Sequence, residues 1–254
     1  KVEIRRMGGG FGGKETQSNQ FAVLSALAAV RNNCAVKLRL DRDDDMICTG
    51  KRHDFIGRYD LGFDQTGKIL AADVQLSARC GHSSDLSGPV TDRALFHVDN
   101  CYFLPAVRLK SFPLKSNTVS NTAFRGFGGP QGMMVSEHLI QEVAFDLQKD
   151  PLEIRKINLY GKNEKSITPY HQSVTDNIAL KLISELEKKS DYKVRREKIL
   201  KFNSNNQCLK KGIALTPVKF GISFTATWYN QAGALVHIYT DGSIYLNHGG
   251  TEMG

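Results

Sequence analysis

Apolar and polar residues alternate most cleanly over residues 53–61 and 68–78, and the turn signal Asp64-Gln65-Thr66-Gly67 between them predicts an antiparallel hairpin. Residues 1–6 place Val2 and Ile4 between charges, which predicts a strand leading into a glycine cluster at residues 8–13. Over residues 16–30 the period lengthens. Phe21, Leu24, Leu27 and Ala28 fall on one helical face, with Thr16 or Ser18 as N-cap. Residues 34–40 read as a strand ending in the acidic run 41–45, residues 80–92 as a polar loop, and residues 107–114 as another strand. A second glycine cluster at 126–129 precedes Pro130, which opens a helix with Met134, Leu139, Val143 and Leu147 facing inward. The pattern then predicts a linker at 162–166, a basic helix within 181–211, strands at 211–227 and 232–239, a turn at Asp241-Gly242 and a short strand at 244–247.

Hairpins mixed with helices place the fold in the α/β to α+β range, with mixed sheets. The change of composition near Gly161 divides the chain into parts 1–160 and 161–254. With 41% hydrophobic and 24% charged residues the composition is globular. The longest apolar stretch, residues 21–30, is far shorter than the roughly 20 residues of a spanning helix, so no membrane partner is expected. The five cysteines are odd in number and contain no C-x-x-C pair, which points to a reducing cytoplasm. Net charge is +8, of which residues 181–211 carry +6. Only Tyr192 and Phe202 accompany those charges, so a solvated helix face is expected and a nucleic-acid partner is not. The chain opens in mid-strand pattern without Met and closes on a glycine turn, as an interior piece of a longer protein would.

The glycine clusters carry the candidate chemistry. Gly8-x-Gly10-x-x-Gly13 satisfies a dinucleotide fingerprint, yet no acidic residue stands about 20 positions further on. The same stretch through Lys14 fits a phosphate loop, except that Glu15 replaces the Ser or Thr that holds magnesium. Gly10-Phe11-Gly12-Gly13 recurs as Gly126-Phe127-Gly128-Gly129, and a third pair follows at Gly249-Gly250. Glycines of this kind serve tight turns alone, or bring backbone amides of several loops to one oxygen-rich cofactor.

Five runs in order along the chain resemble the molybdenum-cofactor region of the xanthine dehydrogenase and aldehyde oxidase family. They are residues 6–15 (RMGGGFGGKE), 92–97 (DRALFH), 121–131 (NTAFRGFGGPQ), 220–225 (FGISFT) and 248–254 (HGGTEMG). The resemblance implies parts of two molybdopterin-binding domains, 1–160 and 161–254, and a molybdenum–molybdopterin cofactor. It implies a molybdenum-bound hydroxide that attacks an electron-poor ring carbon while hydride passes to a molybdenum sulfide. In the family, electrons leave through 2Fe-2S clusters and FAD, on regions this chain does not include, in homodimeric or heteromeric enzymes.

By the same resemblance, Gly10, Phe11, Gly12, Arg125 and Gly126 match the cofactor-binding stretches. Phe11 and Arg125 lie near the molybdenum ligands without ligating the metal by their side chains. Glu15, Arg93, Phe127, Phe224 and Thr225 match substrate positions, with Phe127 and Phe224 sandwiching a flat heterocycle and Glu15 and Arg93 acting in catalysis. Two phenyl rings hold a planar purine with little entropic cost, and a cation beside its carbonyl stabilises charge that grows in the transition state. Taken singly, Arg93 reads as a surface partner of Asp92 and Glu15 as a first-turn carboxylate. Aldehyde oxidases tend to be apolar at both positions, so the charged pair favours a xanthine or hypoxanthine substrate. The family's general base lies beyond Gly254, and Glu252 is not assigned that role.

Overall fold

The predicted hairpin forms because alternation and turn chemistry agree. In the computed structural model, which describes residues 1–4, 7–224 and 226–251, β1 (Phe55–Phe63) pairs antiparallel with β2 (Ile69–Gly81), Tyr59 opposite Val74. Asp64 closes the turn by accepting from the Thr66 amide at 2.8 Å, and Gly67 takes φ +94°, a region that glycine enters at no steric cost. On β2, Ala72, Val74, Leu76 and Ala78 are buried at every second residue. The other long edge of β2 pairs in parallel with β3 (Val107–Lys115), giving a mixed three-stranded sheet in the order β1-β2-β3.

A parallel pair needs a crossover, usually helical. Residues expected as a polar loop supply it as α3 (Ser87–Leu95). The Ser-Gly-Pro opening masks this helix in the sequence, but Pro89 sits in the first turn, where its missing N–H costs nothing. Helix α4 (Gly129–Asp146) starts with Pro130 as expected, yet its inner face is Leu139, Ile140, Val143 and Ala144, and Met134 points out to solvent. Ala94, Val98 and Leu139 pack on Ala72, Val74 and Leu76. A larger cluster joins Ile69, Tyr102, Ile140, Val143 and Leu152 of α5 (Pro151–Asn158) to Ile183, Tyr192 and Leu215. Each fully buried aliphatic side chain there contributes about 1.5–3 kcal/mol.

Several expectations are corrected. Residues 1–4 and 34–40 form no strand, because alternation without a partner edge gives no ladder; Arg5 and Arg6 lie outside the described residues. Helix α1 (Asn19–Asn32) forms, but Leu24 and Leu27 remain about half exposed and no residue of it is buried. Ser18 makes no side-chain cap. The acidic run instead builds α2 (Arg42–Cys48): Asp41 caps it by accepting from the Asp44 amide at 2.8 Å, and three aspartates sit where the helix dipole favours them. The basic helix is two, α6 (Ala179–Lys189) and α7 (Tyr192–Ser204), broken where Asp191 adopts φ +49°. Of Leu182, Ile183 and Leu186, which recur at helical spacing, Ile183 is buried and the two leucines are exposed. Residues 211–224 form no strand either. The final hairpin is β4 (Ala234–Ile238) with β5 (Ile244–His248).

Candidate functional site

The two Gly-Phe-Gly-Gly repeats share a left-handed Phe-Gly centre, and the first touches the residues that lead into the second. Phe11 and Phe127 stand at φ +54° and +52°, flanked by Gly12 at +97° and by Gly126 and Gly128 at +91° and +94°. The Arg125 amide donates to the Phe11 carbonyl at 2.9 Å. A β-carbon on Gly12 would lie 2.5 Å from the Ala123 oxygen, so the loops approach as closely as glycine permits. Among the described residues, the amides of Gly10, Phe11, Gly12, Gly126 and Gly128 have no acceptor. Such a cradle of unused donors in left-handed backbone fits an anionic, oxygen-rich group.

Asp85 ties the cradle to its surroundings. Its carboxylate accepts from the hydroxyls of Thr16 (2.7 Å) and Thr122 (2.6 Å), the Gln17 side-chain amide (3.0 Å) and the Leu86 amide (2.7 Å). Gln17 in turn accepts from the Gly50 amide at 2.7 Å. His53 holds the start of α3 through Ser87 Oγ at 2.7 Å, and burial pushes the pKa of His53 down, against the charges of Asp85 and Asp54. Arg52 donates to the Arg125 carbonyl at 2.7 Å and lies over the Phe124 ring. Lys14 bends back to the Gly9 carbonyl and over Phe11, a posture unlike that of a lysine reaching for phosphate.

A second group of site residues gathers at α3. Arg93 is 6% exposed, a buried residue and not the surface partner of Asp92. Its two terminal nitrogens donate to the carbonyls of Gly221 and Ser223, and its Nε has no partner. The guanidinium carbon lies 5.8 Å from the Phe127 centroid and 5.6 Å from that of Phe220. Phe127 and Phe224 face each other at 5.5 Å, tilted by 52°. Burial lowers the pKa of Arg93, which stays charged at physiological pH. The structure thus brings Arg93, Phe127 and Phe224 together. Glu15 stands exposed in the turn before α1, with no hydrogen bond or ion pair among the described residues. Thr225 and Glu252 lie outside the described residues. Gly249 bonds back to Gly233 within its own hairpin at 2.9 Å.

Sequence reasoning missed His97 and Asn100, which hold residues 217–221 beside Arg93. No periodicity announces them, because His97 and Asn100 lie in the turns that follow α3, and Asn100 adopts φ +42°.

The molybdopterin cofactor-binding domain profile matches residues 1–159, and a second profile of the same description matches residues 185–254. The chain belongs to the molybdopterin cofactor-binding domain family. Among curated relatives of this molybdopterin-binding chain, the xanthine dehydrogenase/oxidase of Gallus gallus is 48% identical over 253 residues, all of the chain and 18% of the relative. The xanthine dehydrogenase of Oryza sativa subsp. japonica is 48% identical over 252 residues, 99% of the chain and again 18% of the relative. The chain therefore spans less than a fifth of these proteins. Solved structures agree in fold. The Cu,Mo-CO dehydrogenase superposes with a TM-score of 0.74 at 19% identity, over 100% of the chain and 34% of that protein. The aldehyde oxidoreductase of Desulfovibrio gigas gives 0.66 at 24%, over 94% and 25%. Molybdopterin is thus the cofactor of the family, and the glycine cradle has the donors to receive it. No strand precedes the first glycine loop among the described residues, which therefore do not show the strand–loop–helix frame of a dinucleotide site. No helix there is long and apolar enough to cross a membrane.

Proposed function

We propose that the chain is part of a molybdenum hydroxylase that oxidises purines, hypoxanthine and xanthine to urate. The observation that carries this reading is the buried Arg93 beside the tilted Phe127–Phe224 pair, next to the glycine cradle. Two xanthine dehydrogenases at 48% identity support it. When bound, molybdenum–molybdopterin supplies the two-electron oxidation of a ring carbon with oxygen from water.

The chain's own residues bind and orient. Gly10, Phe11, Gly12 and Gly126 would hold the cofactor through backbone amides, with Arg125, whose own amide is taken by the Phe11 carbonyl, beside them. Phe127 would stack on one face of the purine while Phe224 meets it edge-on. The rings lie 5.5 Å apart, less than the roughly 7 Å that two stacked contacts require, so substrate must part them or take one ring by its edge. Arg93 would stabilise negative charge on a purine oxygen in the transition state. Glu15 would accept from, or donate to, a ring nitrogen, and Thr225 would add a substrate contact. The two parts, 1–160 and 161–254, would belong to successive molybdopterin-binding domains. The complete enzyme would be cytoplasmic, homodimeric or heteromeric, and would carry 2Fe-2S clusters and FAD elsewhere.

The test is Glu15→Ala in the complete enzyme. Loss of one charged hydrogen bond to substrate is worth about 1.5–3 kcal/mol, so purine turnover should fall roughly 10- to 150-fold with molybdenum content unchanged. Unchanged turnover, or loss of the metal, would remove Glu15 from the substrate site.

A further inference from the structure

Residues 217–223 run alongside α3 without a strand partner, and side chains take the place of a backbone ladder. Asn100 donates to the Pro217 carbonyl at 3.0 Å and accepts from the Lys219 amide at 3.1 Å. His97 Nε2 lies 3.1 Å from the Gly221 amide nitrogen, and its Nδ1 lies 2.8 Å from the Arg93 carbonyl oxygen. Arg93 completes the clasp on Gly221 and Ser223. The His97 ring is 4% exposed and packs on Phe220, centroids 4.8 Å apart.

These partners fix the protonation of His97. A backbone amide can only donate, so Nε2 must carry the lone pair; a carbonyl can only accept, so Nδ1 must carry the hydrogen. Only the neutral Nδ1–H tautomer satisfies both nitrogens. The surroundings agree, because burial lowers the pKa of His97 and the charges of Arg93 and Lys219 lower it further. Lys219 is itself paired with the buried carboxylate of Asp99 at 2.9 Å and with the Tyr170 hydroxyl at 2.8 Å. From α4, Gly129 and Gly132 lie against His97, and Glu137 of that helix is engaged by Asn100 and Arg155. Gly221 stands three residues before Phe224, whose ring faces Phe127.

We propose that His97 is a positioning residue, neutral and protonated on Nδ1, whose two hydrogen bonds hold Phe224 against Phe127 and thereby set the width of the slot for a flat heterocycle. The identity of that heterocycle rests on the purine reading; the clasp itself does not. Protonation of Nε2 would set N–H against the Gly221 N–H and place a third cation beside Arg93 and Lys219. The slot is therefore intact above the ordinary histidine value of 6.5 and loosens as pH falls below it through the lowered value of the folded protein.

The experiment uses the complete, molybdenum-loaded enzyme and two variants. His97→Phe keeps a ring against Phe220 and removes both hydrogen bonds; His97→Gln can restore one. Amide exchange over residues 220–224 should quicken about tenfold in His97→Phe and less in His97→Gln. KM for the oxidised substrate should rise about tenfold in His97→Phe, with a smaller fall in kcat. In the wild type KM should rise at acid pH, as His97 takes up a proton below the ordinary histidine range, and that rise should be absent in His97→Phe. Unaltered exchange at 220–224, or an acid rise in KM that persists in His97→Phe, overturns the proposal. If His97→Phe loses its metal, His97→Gln decides on the same two readouts. Should the wild type oxidise no purine, the purine reading fails, while the exchange result still decides the clasp.

Discussion

Gly128 is where the site and the core press hardest on each other, and Gly128→Ala measures that pressure. A β-carbon there would lie 2.0 Å from the Val90 carbonyl oxygen and 3.1 Å from the Ala94 nitrogen, both on α3. Two costs combine. Holding an alanine at φ +94° takes about 1–2 kcal/mol. Relieving the overlap means pushing α3 away from the start of α4, an overpacking cost of about 1–3 kcal/mol. The sum is roughly 2–5 kcal/mol, which at about 2–4 °C per kcal/mol for a chain of this size lowers Tm by roughly 4–20 °C. Urea and thermal unfolding followed by circular dichroism would read it. Gly8→Ala is the internal control, since a methyl group there would meet nothing within 4 Å and the variant should stay within about 0.5 kcal/mol of wild type. A wild-type Tm for Gly128→Ala, or an equal fall in both variants, would refute the close-approach account of the second glycine loop.

Other perturbations test other parts of the structure. Arg155→Met should cost about 3–5 kcal/mol by urea unfolding, because Glu137, which accepts from Arg155 Nε at 2.8 Å, would keep a half-buried charge without its cation; a cost under 1 kcal/mol would contradict this. Asp85→Asn turns a carboxylate that accepts four hydrogen bonds into an amide with an NH₂ facing donors. It should cost about 1–3 kcal/mol and lower molybdenum occupancy of the complete enzyme, and full occupancy would show that the loops hold their spacing without it. His53 and His97 both have pKa values lowered by burial, so the unfolded chain takes up protons that the folded chain refuses. Their contribution is complete above about pH 6.5 and declines as pH falls, so the urea midpoint should be lower at pH 5.5 than at 7.5; equal midpoints would argue against neutral buried rings.

The hairpin and α4 were legible because several local signals coincide there: strict alternation with an Asp–Gly turn in one case, glycine followed by proline and a long apolar period in the other. Helix α3 was hidden by its polar, breaker-rich opening, and its existence follows from the parallel pairing of β2 with β3, a tertiary fact. Residues 211–224 alternate like a strand, but over 217–223 their partners are the side chains of Arg93, His97 and Asn100, which no periodicity announces. The apolar face of α1 is legible as a pattern, yet no residue of the helix is buried, since amphipathicity says that a face needs cover without saying what supplies it. At the site, the sequence runs pointed to Arg93, Phe127 and Phe224, which meet in the structure. Glu15 does not join them, and its place in the site remains a proposal.

The clasp on residues 217–223 also bears on how the protein forms. Arg93 and Gly221 are 128 residues apart in sequence, and His97 and Gly221 are 124 apart. Closing so long a loop must wait until the sheet and α4 offer a surface to close upon, and contacts of that separation are slow to form. The slot is therefore among the last features completed on the folding route. Anything that binds only the completed slot, as a flat heterocycle between Phe127 and Phe224 would, draws the chain forward by mass action, so occupation of the slot would act as the final step of folding.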